Sequence, residues 1–334
     1  MPRPNRIDTR KLSADRPALI HCYWHLAAGL WMDDIERRYL RDLTIARFRV
    51  SGFALMSFDI PSNHGHALAF CDGTKLSPTQ VLEHWDERLL GAKPATPDHW
   101  RVQYFSESSN QLGTVIGWVL KQFSDWLGRR RGRKGSAYEC RHHEKLIKDE
   151  QREMCLRDPL GGLKTLISYI ENNNAAARIH PEPTQDEFCG LGWWTAHQEP
   201  CFGTHQIEKV AGLLLGRDET AQLLDQPQGA SLLQQRLYEC YLDCIRNRNV
   251  RHRLDFWLKE QGIALDSDEA TAHHRRVEQI LLKAHAIAPE SLIEQVGAEI
   301  LCKGAKRKGS KEQRHRAFVI PGLGLSAIGG RVRR

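Results

Sequence analysis

Several signatures are missing from this 334-residue chain. It has no Cys-x-x-Cys pair, no Gly-Lys-Ser/Thr phosphate loop, no His-Glu-x-x-His helix and no apolar run approaching eighteen residues. Its nine cysteines are scattered singly and odd in number. That argues against a structural zinc ribbon or a disulfide framework and favours a reducing cytosol. The missing phosphate loop and zinc helix argue against NTPase and zincin chemistry. Without a long apolar run or a hydrophobic signal segment, the chain is expected to be soluble, unexported and free of membrane contact. Cys240 and Cys244 lie four residues apart on an apolar helical face and read as core.

What is present is ordinary globular composition, 41% hydrophobic and 27% charged, with length enough for two cores. The net charge is +7, and it is unevenly placed. Arg129, Arg130, Arg131, Arg133 and Lys134 form one dense run; Lys303, Lys306, Arg307, Lys308, Lys311, Arg314 and Arg316 form another. Such clusters read as nucleic-acid patches. The plainer alternative is a solvated loop and a loose tail.

Taken in order, residues 1–16 are polar, basic and expected to be flexible. Pro17 to His25 is rich in strand formers. Asp33 or Asp34 offers an N-cap for a helix to about Ala46, with Ile35, Tyr39, Leu43 and Ala46 on its stripe. Arg47 to Phe58 reads as a strand. A turn with Pro61 then leads into a strand through His64-Gly65-His66-Ala67-Leu68-Ala69-Phe70, antiparallel to its predecessor. Residues on a strand alternate faces, so His64 and His66 share one, where they can address a single divalent cation. The other parity, Gly65, Ala67 and Ala69, is small and leaves room for a close-packed helix.

Residues 72–110 form an excursion with a short helix from Pro78 through Val81, Leu82, Trp85 and Leu89. Leu112, Val115, Ile116, Val119, Phe123 and Trp126 then fall at helical spacing. That helix ends at Leu127, where Gly128, Gly132 and Gly135 break it. Ala137 to Ile147 holds a short strand or a loop, with His142 and His143 as surface groups or phosphate contacts. After Asp158-Pro159 a helix over 160–174 carries Leu163, Leu166, Ile167 and Ile170 as its stripe. Tyr169 and Asn173, at i and i+4, stack beside that stripe. Helices are expected over 206–215, 231–248, 250–261, 268–285 and 289–302. The stretch Gly324 to Gly329 weakly resembles the turn of a helix-turn-helix; otherwise the end is a basic arm.

Asn63-His64-Gly65-His66, the helix entering Arg129 to Gly135, Cys140-Arg141-His142 and Tyr169-Ile170-Glu171-Asn172-Asn173 stand in the order of a known pattern. Together they resemble the single-tyrosine HUH transposases, in particular the REP-associated tyrosine transposases and transposase-like proteins. The resemblance covers roughly residues 15–200 and includes Gly192-Trp193-Trp194-Thr195 near the domain's end. Two departures stand out. Gly65 replaces a bulky hydrophobe between the histidines, and Asn174-Ala175-Ala176 replaces Pro-Val-Arg.

The resemblance implies an α+β fold: a central antiparallel sheet flanked by helices, the ferredoxin/RRM-like HUH domain, over residues 17–204. An all-α C-terminal domain over 205–302 and a basic tail over 303–334 follow. It implies an enzyme that nicks and transfers single-stranded or hairpin DNA in transposition and recombination. Tyr169 would be the nucleophile, forming a covalent 5′-phosphotyrosine. His64, His66 and Asn173 would be ligands of Mg²⁺ or Mn²⁺, ions that suit imidazole and oxygen donors. Arg129, Arg130, Arg131, Arg133, Lys134 and Arg141 would grip the sugar-phosphate backbone. Trp118, Trp126, Tyr138, Trp193 and Trp194 are available for base stacking. A homodimer and a nucleoid-associated place in the bacterial cytosol fit the same reading. Two alternatives stay open: a domesticated DNA- or RNA-binding protein without cleavage, and a metal-dependent phosphohydrolase with Tyr169 structural. In the plainest reading Tyr169 is a boundary residue and Asn173 a helix cap.

Overall fold

The computed structural model describes residues 7–13, 17–139, 142–147, 162–176, 180, 182–247, 250–283, 286–289, 317–320 and 325–328. Arg141, the Asp158-Pro159 helix start, most of the expected helix over 289–302 and the second basic run lie outside the described residues. The chain divides into two compact units. The first combines Met1–Glu144 with Ile170–Val210; the second combines Lys145–Tyr169 with Ala211–Arg334.

In the first unit, β1 (Ala18–His25), α1 (Asp34–Arg49), β2 (Ala54–Asp59) and β3 (His64–Cys71) follow one another. β3 runs antiparallel between β1 and β2, so the histidines sit on a central strand. A bulge between Leu55 and Ser57 shifts the β2 register. The α1 start is a reciprocal cap: Asp33 accepts from the Glu36 N–H and Glu36 accepts from the Asp33 N–H.

α1 departs from the expected stripe. Leu43 and Ala46 of that stripe are buried and Tyr39 is half-buried, but Ile35 is 55% exposed, and the helix also buries Leu40, Thr44 and Arg47. Arg47 is internal because its guanidinium donates to the Val50 carbonyl (3.2 Å) and to Ser108 Oγ (3.0 Å) and lies over the Phe105 ring. The expected strand from Arg47 is therefore helix to Arg49, and β2 starts only at Ala54.

Next come α2 (Pro78–Glu83), α3 (Glu87–Leu90) and α4 (Trp100–Glu107). Ser77 caps α2 through the Gln80 N–H, with Pro78 in the first turn. Val81, Trp85, Leu90, Val102 and Phe105 pack with Ala46 and Val50 from the end of α1. α5 (Leu112–Arg131) buries Leu112, Val115, Ile116, Val119, Leu120, Phe123 and Leu127. It runs past Gly128 and stops at Gly132, whose φ of +62° suits glycine. Arg129, Arg130 and Arg131 thus form its last turn, where the helix dipole favours cations. Trp126 is half-buried and stacks on Tyr39 of α1, with ring centroids 4.2 Å apart. β4 (His143–Ile147) begins in this unit. It is followed by α6 (Gly162–Glu171), which belongs to the second unit up to Tyr169, then by α7 (Asn173–Ala176) and α8 (Gly190–His197) of the first, and by α9 (Ile207–Leu214), which belongs to the first unit up to Val210.

The second unit holds α10 (Arg217–Leu224), α11 (Gly229–Asn247), α12 (Val250–Glu260) and α13 (Asp268–Lys283). It also holds β5 (Ala286–Pro289), β6 (Ala317–Ile320) and β7 (Leu325–Ile328). β5 runs parallel to β4 through Leu146 and Ile147, and antiparallel to β7; β7 runs antiparallel to β6. The expected all-α C-terminal domain is thus corrected to a mixed one. Four-residue apolar runs such as Ala317-Phe-Val-Ile are too short to show a period, so pairing alone reveals them. Leu325–Ile328, weakly read as a helix-turn-helix turn, is the middle strand β7. No helix among the described residues is long and apolar enough to cross a membrane.

Candidate active site

Residues paired directly across a sheet point to the same face. Tyr23 lies opposite His66, His25 opposite His64, and Asp59 opposite His66 on the other side. One face of the three strands therefore collects His21, Tyr23, His25, His64, His66 and Asp59. The opposite face carries Trp24, Gly65, Ala67 and Phe58, all buried.

Gly65 answers one departure from the family pattern. It lies opposite Trp24, and a Cβ built at Gly65 would overlap the Trp24 indole. The small residue thus makes room for a neighbouring tryptophan, not for a helix at that point. The bulk expected between the histidines sits one strand away.

The two imidazoles stand at 89° to each other with centroids 5.0 Å apart. Asn63 Oδ1 lies 2.6 Å from His64 Nδ1. An amide oxygen only accepts, so His64 carries its proton on Nδ1 and presents Nε2 as its lone pair. Burial pushes the His64 pKa down to about 4, which keeps the ring neutral at physiological pH. His66 is buried, and its Nδ1 meets His21 Nε2 at 3.0 Å; a cation on this face would take it through Nε2. Tyr23 stacks on His143 with centroids 4.8 Å apart.

Asn173 reaches the same face through Asp59. Its Nδ2 donates to Asp59 Oδ2 at 2.7 Å, leaving Oδ1 as its acceptor. Asn174 Nδ2 donates to Asp59 Oδ1 (2.9 Å) and to Asp186 Oδ2 (2.6 Å). Asn174, which replaces a proline of the family pattern, therefore ties two buried carboxyls together. Glu171 accepts from Ser57 Oγ (2.7 Å) and from the Leu191 N–H (2.8 Å). Burial holds the Asp59 carboxyl well above the carboxylate range, Asp186 and Glu171 adding to it against the Asn173 hydrogen bond. Burial likewise lifts Glu171 to about 7, against the Leu191 N–H and Ser57.

The helix expected over 160–174 is not continuous. A turn at Asn172 separates α6 from α7, because Glu171 is tethered to Ser57 and Leu191 while Asn173 and Asn174 turn to Asp59. Tyr169 and Asn173 are therefore not successive turns of one helix. Tyr169 is half-buried in the last turn of α6 and groups with the second unit, Asn173 with the first.

The donor set fits a divalent cation in a limited way. Among the described residues no three His, Cys, Asp or Glu side chains close around a metal. Two imidazole nitrogens and an amide oxygen are donors of the type such an ion takes, and solvent and a phosphate would have to complete its shell.

Arg129 and Lys134 are exposed and Arg133 is partly so. Arg130 and Arg131 are engaged within the protein: Arg130 with Asp33 (2.7 Å) and Glu36 (3.4 Å), and Arg131 with Glu36. His142, expected at the surface, is buried and paired with Glu144 at 2.9 Å. Tyr138 and Trp194 are buried. Trp193 stacks on His197 with centroids 3.5 Å apart. None of these three aromatics offers an open ring.

Asp59, Asp186 and Glu171 have no signal in the sequence. The alternation His21-x-Tyr23-x-His25 does, since period two on a strand puts all three on one face.

No family model matches this sequence, and no curated protein matches it. A solved structure described as a REP-associated tyrosine transposase bound to a REP hairpin is similar at 12% identity. The match covers 60% of this chain and 90% of that one, with a TM-score of 0.33.

Proposed function

We propose that the protein is a metal-dependent, single-tyrosine HUH enzyme that nicks and rejoins single-stranded or hairpin DNA. One observation carries the reading. A single sheet face sets His64 and His66 at right angles, Asn63 fixes which His64 nitrogen is bare, and the Asn173 amide is anchored on the carboxyl opposite His66. The chain order β–α–β–β–α–β, taken through α5 to β4 with α2 to α4 inserted, is that of the ferredoxin-like domain and supports it.

His64, His66 and Asn173 would hold Mg²⁺ or Mn²⁺, which when bound polarises the scissile phosphate and offsets charge in the transition state. Tyr169 attacks phosphorus. A Tyr O–P bond forms, the P–O3′ bond breaks, and the proton given up by the phenol ends on the departing 3′-hydroxyl. The phosphotyrosine conserves the ester, so a second 3′-hydroxyl can reverse the step on another strand. A free phenol has a pKa near about 10 and is a poor nucleophile until its proton is drawn off.

Incubation with end-labelled single strands and Mn²⁺ tests this. We expect a covalent protein–DNA adduct that Tyr169→Phe abolishes. Binding without adduct would favour a domesticated DNA- or RNA-binding protein. Cleavage without adduct that survives Tyr169→Phe would favour a phosphohydrolase.

A further inference from the structure

We infer that Trp31 is a stacking platform for an unpaired base of the strand whose backbone the arginine-rich end of α5 attracts. The inference rests on the single-strand reading above and adds a residue outside the expected stacking set. Trp31 is 58% exposed, with Ile35 exposed four residues along the chain. Among the described residues no ring or guanidinium stacks on its indole.

The loop that carries Trp31 is held on several sides. The Trp31 carbonyl accepts from Arg131 Nη2 (2.7 Å), and the Met32 N–H donates to the Ser62 carbonyl (2.6 Å). The Leu30 N–H donates to Ala27, the Leu26 N–H to Asn63 and the Ala27 N–H to Ala137, each at 2.9 Å. A pinned loop presents an aromatic face with its ordering entropy already lost, as a stacking site requires.

Its place fits the substrate. Ser62 and Asn63 belong to the turn that ends in His64, so chain geometry puts the Trp31 Cα within about 15 Å of the His64 Cα. The loop's carboxylates, Asp33 and Glu36, are matched by Arg130 and Arg131. That leaves Arg129, Arg133 and Lys134 as excess positive charge beside an exposed aromatic face. A polyanion with unstacked bases matches both features. A duplex matches only the charge, because its bases are already stacked.

Fluorescence anisotropy on labelled strands, in the Tyr169→Phe chain without metal, tests it. Trp31→Ala is expected to weaken single-strand binding about tenfold and Trp31→Phe by less, with duplex binding unchanged. Thermal melting of each variant checks that the fold is kept. A single abasic position walked along the strand should, at one place, erase the difference between the parent and the Trp31→Ala chain. Equal affinity of Trp31→Ala and its parent would overturn the inference, as would equal losses on single strands and duplex. So would a difference that no abasic position removes. The adduct assay with intact Tyr169 reads the cleavage proposal separately, so either can fail alone.

Discussion

Gly65 shows how one side chain can be dictated by another that lies far away in sequence. Substituting Gly65→Val drives two methyls into the Trp24 indole. Overpacking of that kind costs about 1–3 kcal/mol, readable as a lowered urea midpoint. Asn63 acts on chemistry instead. Asn63→Ala removes the acceptor that holds the His64 tautomer, and Mn²⁺ affinity measured by calorimetry should fall about tenfold with the fold intact. Glu171 links burial to pH. Its folded pKa, near 7, lies above the ordinary 4.5, so the folded state holds the proton longer than the unfolded chain. Its contribution is therefore fully present at low pH and is lost as pH rises from about 4.5 to about 7, by roughly 3 kcal/mol at most. Glu171→Gln should flatten that part of the melting-temperature profile; an unchanged slope would remove Glu171 as its source.

At the level of elements, α1 and α5 are visible in the sequence for different reasons. α5 has an unbroken apolar stripe over five turns. α1 is located by its cap, and its apolar pattern places Leu43 and Ala46 inside but misses the internal Arg47 and the exposed Ile35. The cap has a second task, since Asp33 and Glu36 also hold Arg130 and Arg131. Asp33→Ala should cost about 1 kcal/mol of stability, the usual value of an N-cap, by denaturant titration. The short strands β5, β6 and β7 carry too few residues to show alternation, and periodicity overextends the helix through Tyr169. Its break at Asn172 follows from hydrogen bonds to β2, which no local pattern announces.

For the molecule as a whole, the proposed DNA affinity depends on where charge is placed. The net charge of +7 is a weak guide, because two arginines of the densest run are spent on internal ion pairs. Replacing Arg129, Arg133 and Lys134 together by Ala should lower the slope of log affinity against log salt by about 2 on single strands. A slope that does not move would place the DNA elsewhere. The division into two units, each built from two separate chain segments, is likewise a property of the assembled chain.

By itself the sequence determined the order of the strands and helices up to β3, the shared face of His64 and His66, and the amphipathic course of α5. These depend on periodicity and caps, which act over a few residues. Only the tertiary structure decided that Trp24 fills the space over Gly65, that Asn173 and Asn174 fasten on Asp59, and that Trp31 stays open to solvent. Those outcomes join residues from separate strands, loops and helices, and burial and hydrogen-bond satisfaction select them after the chain has folded.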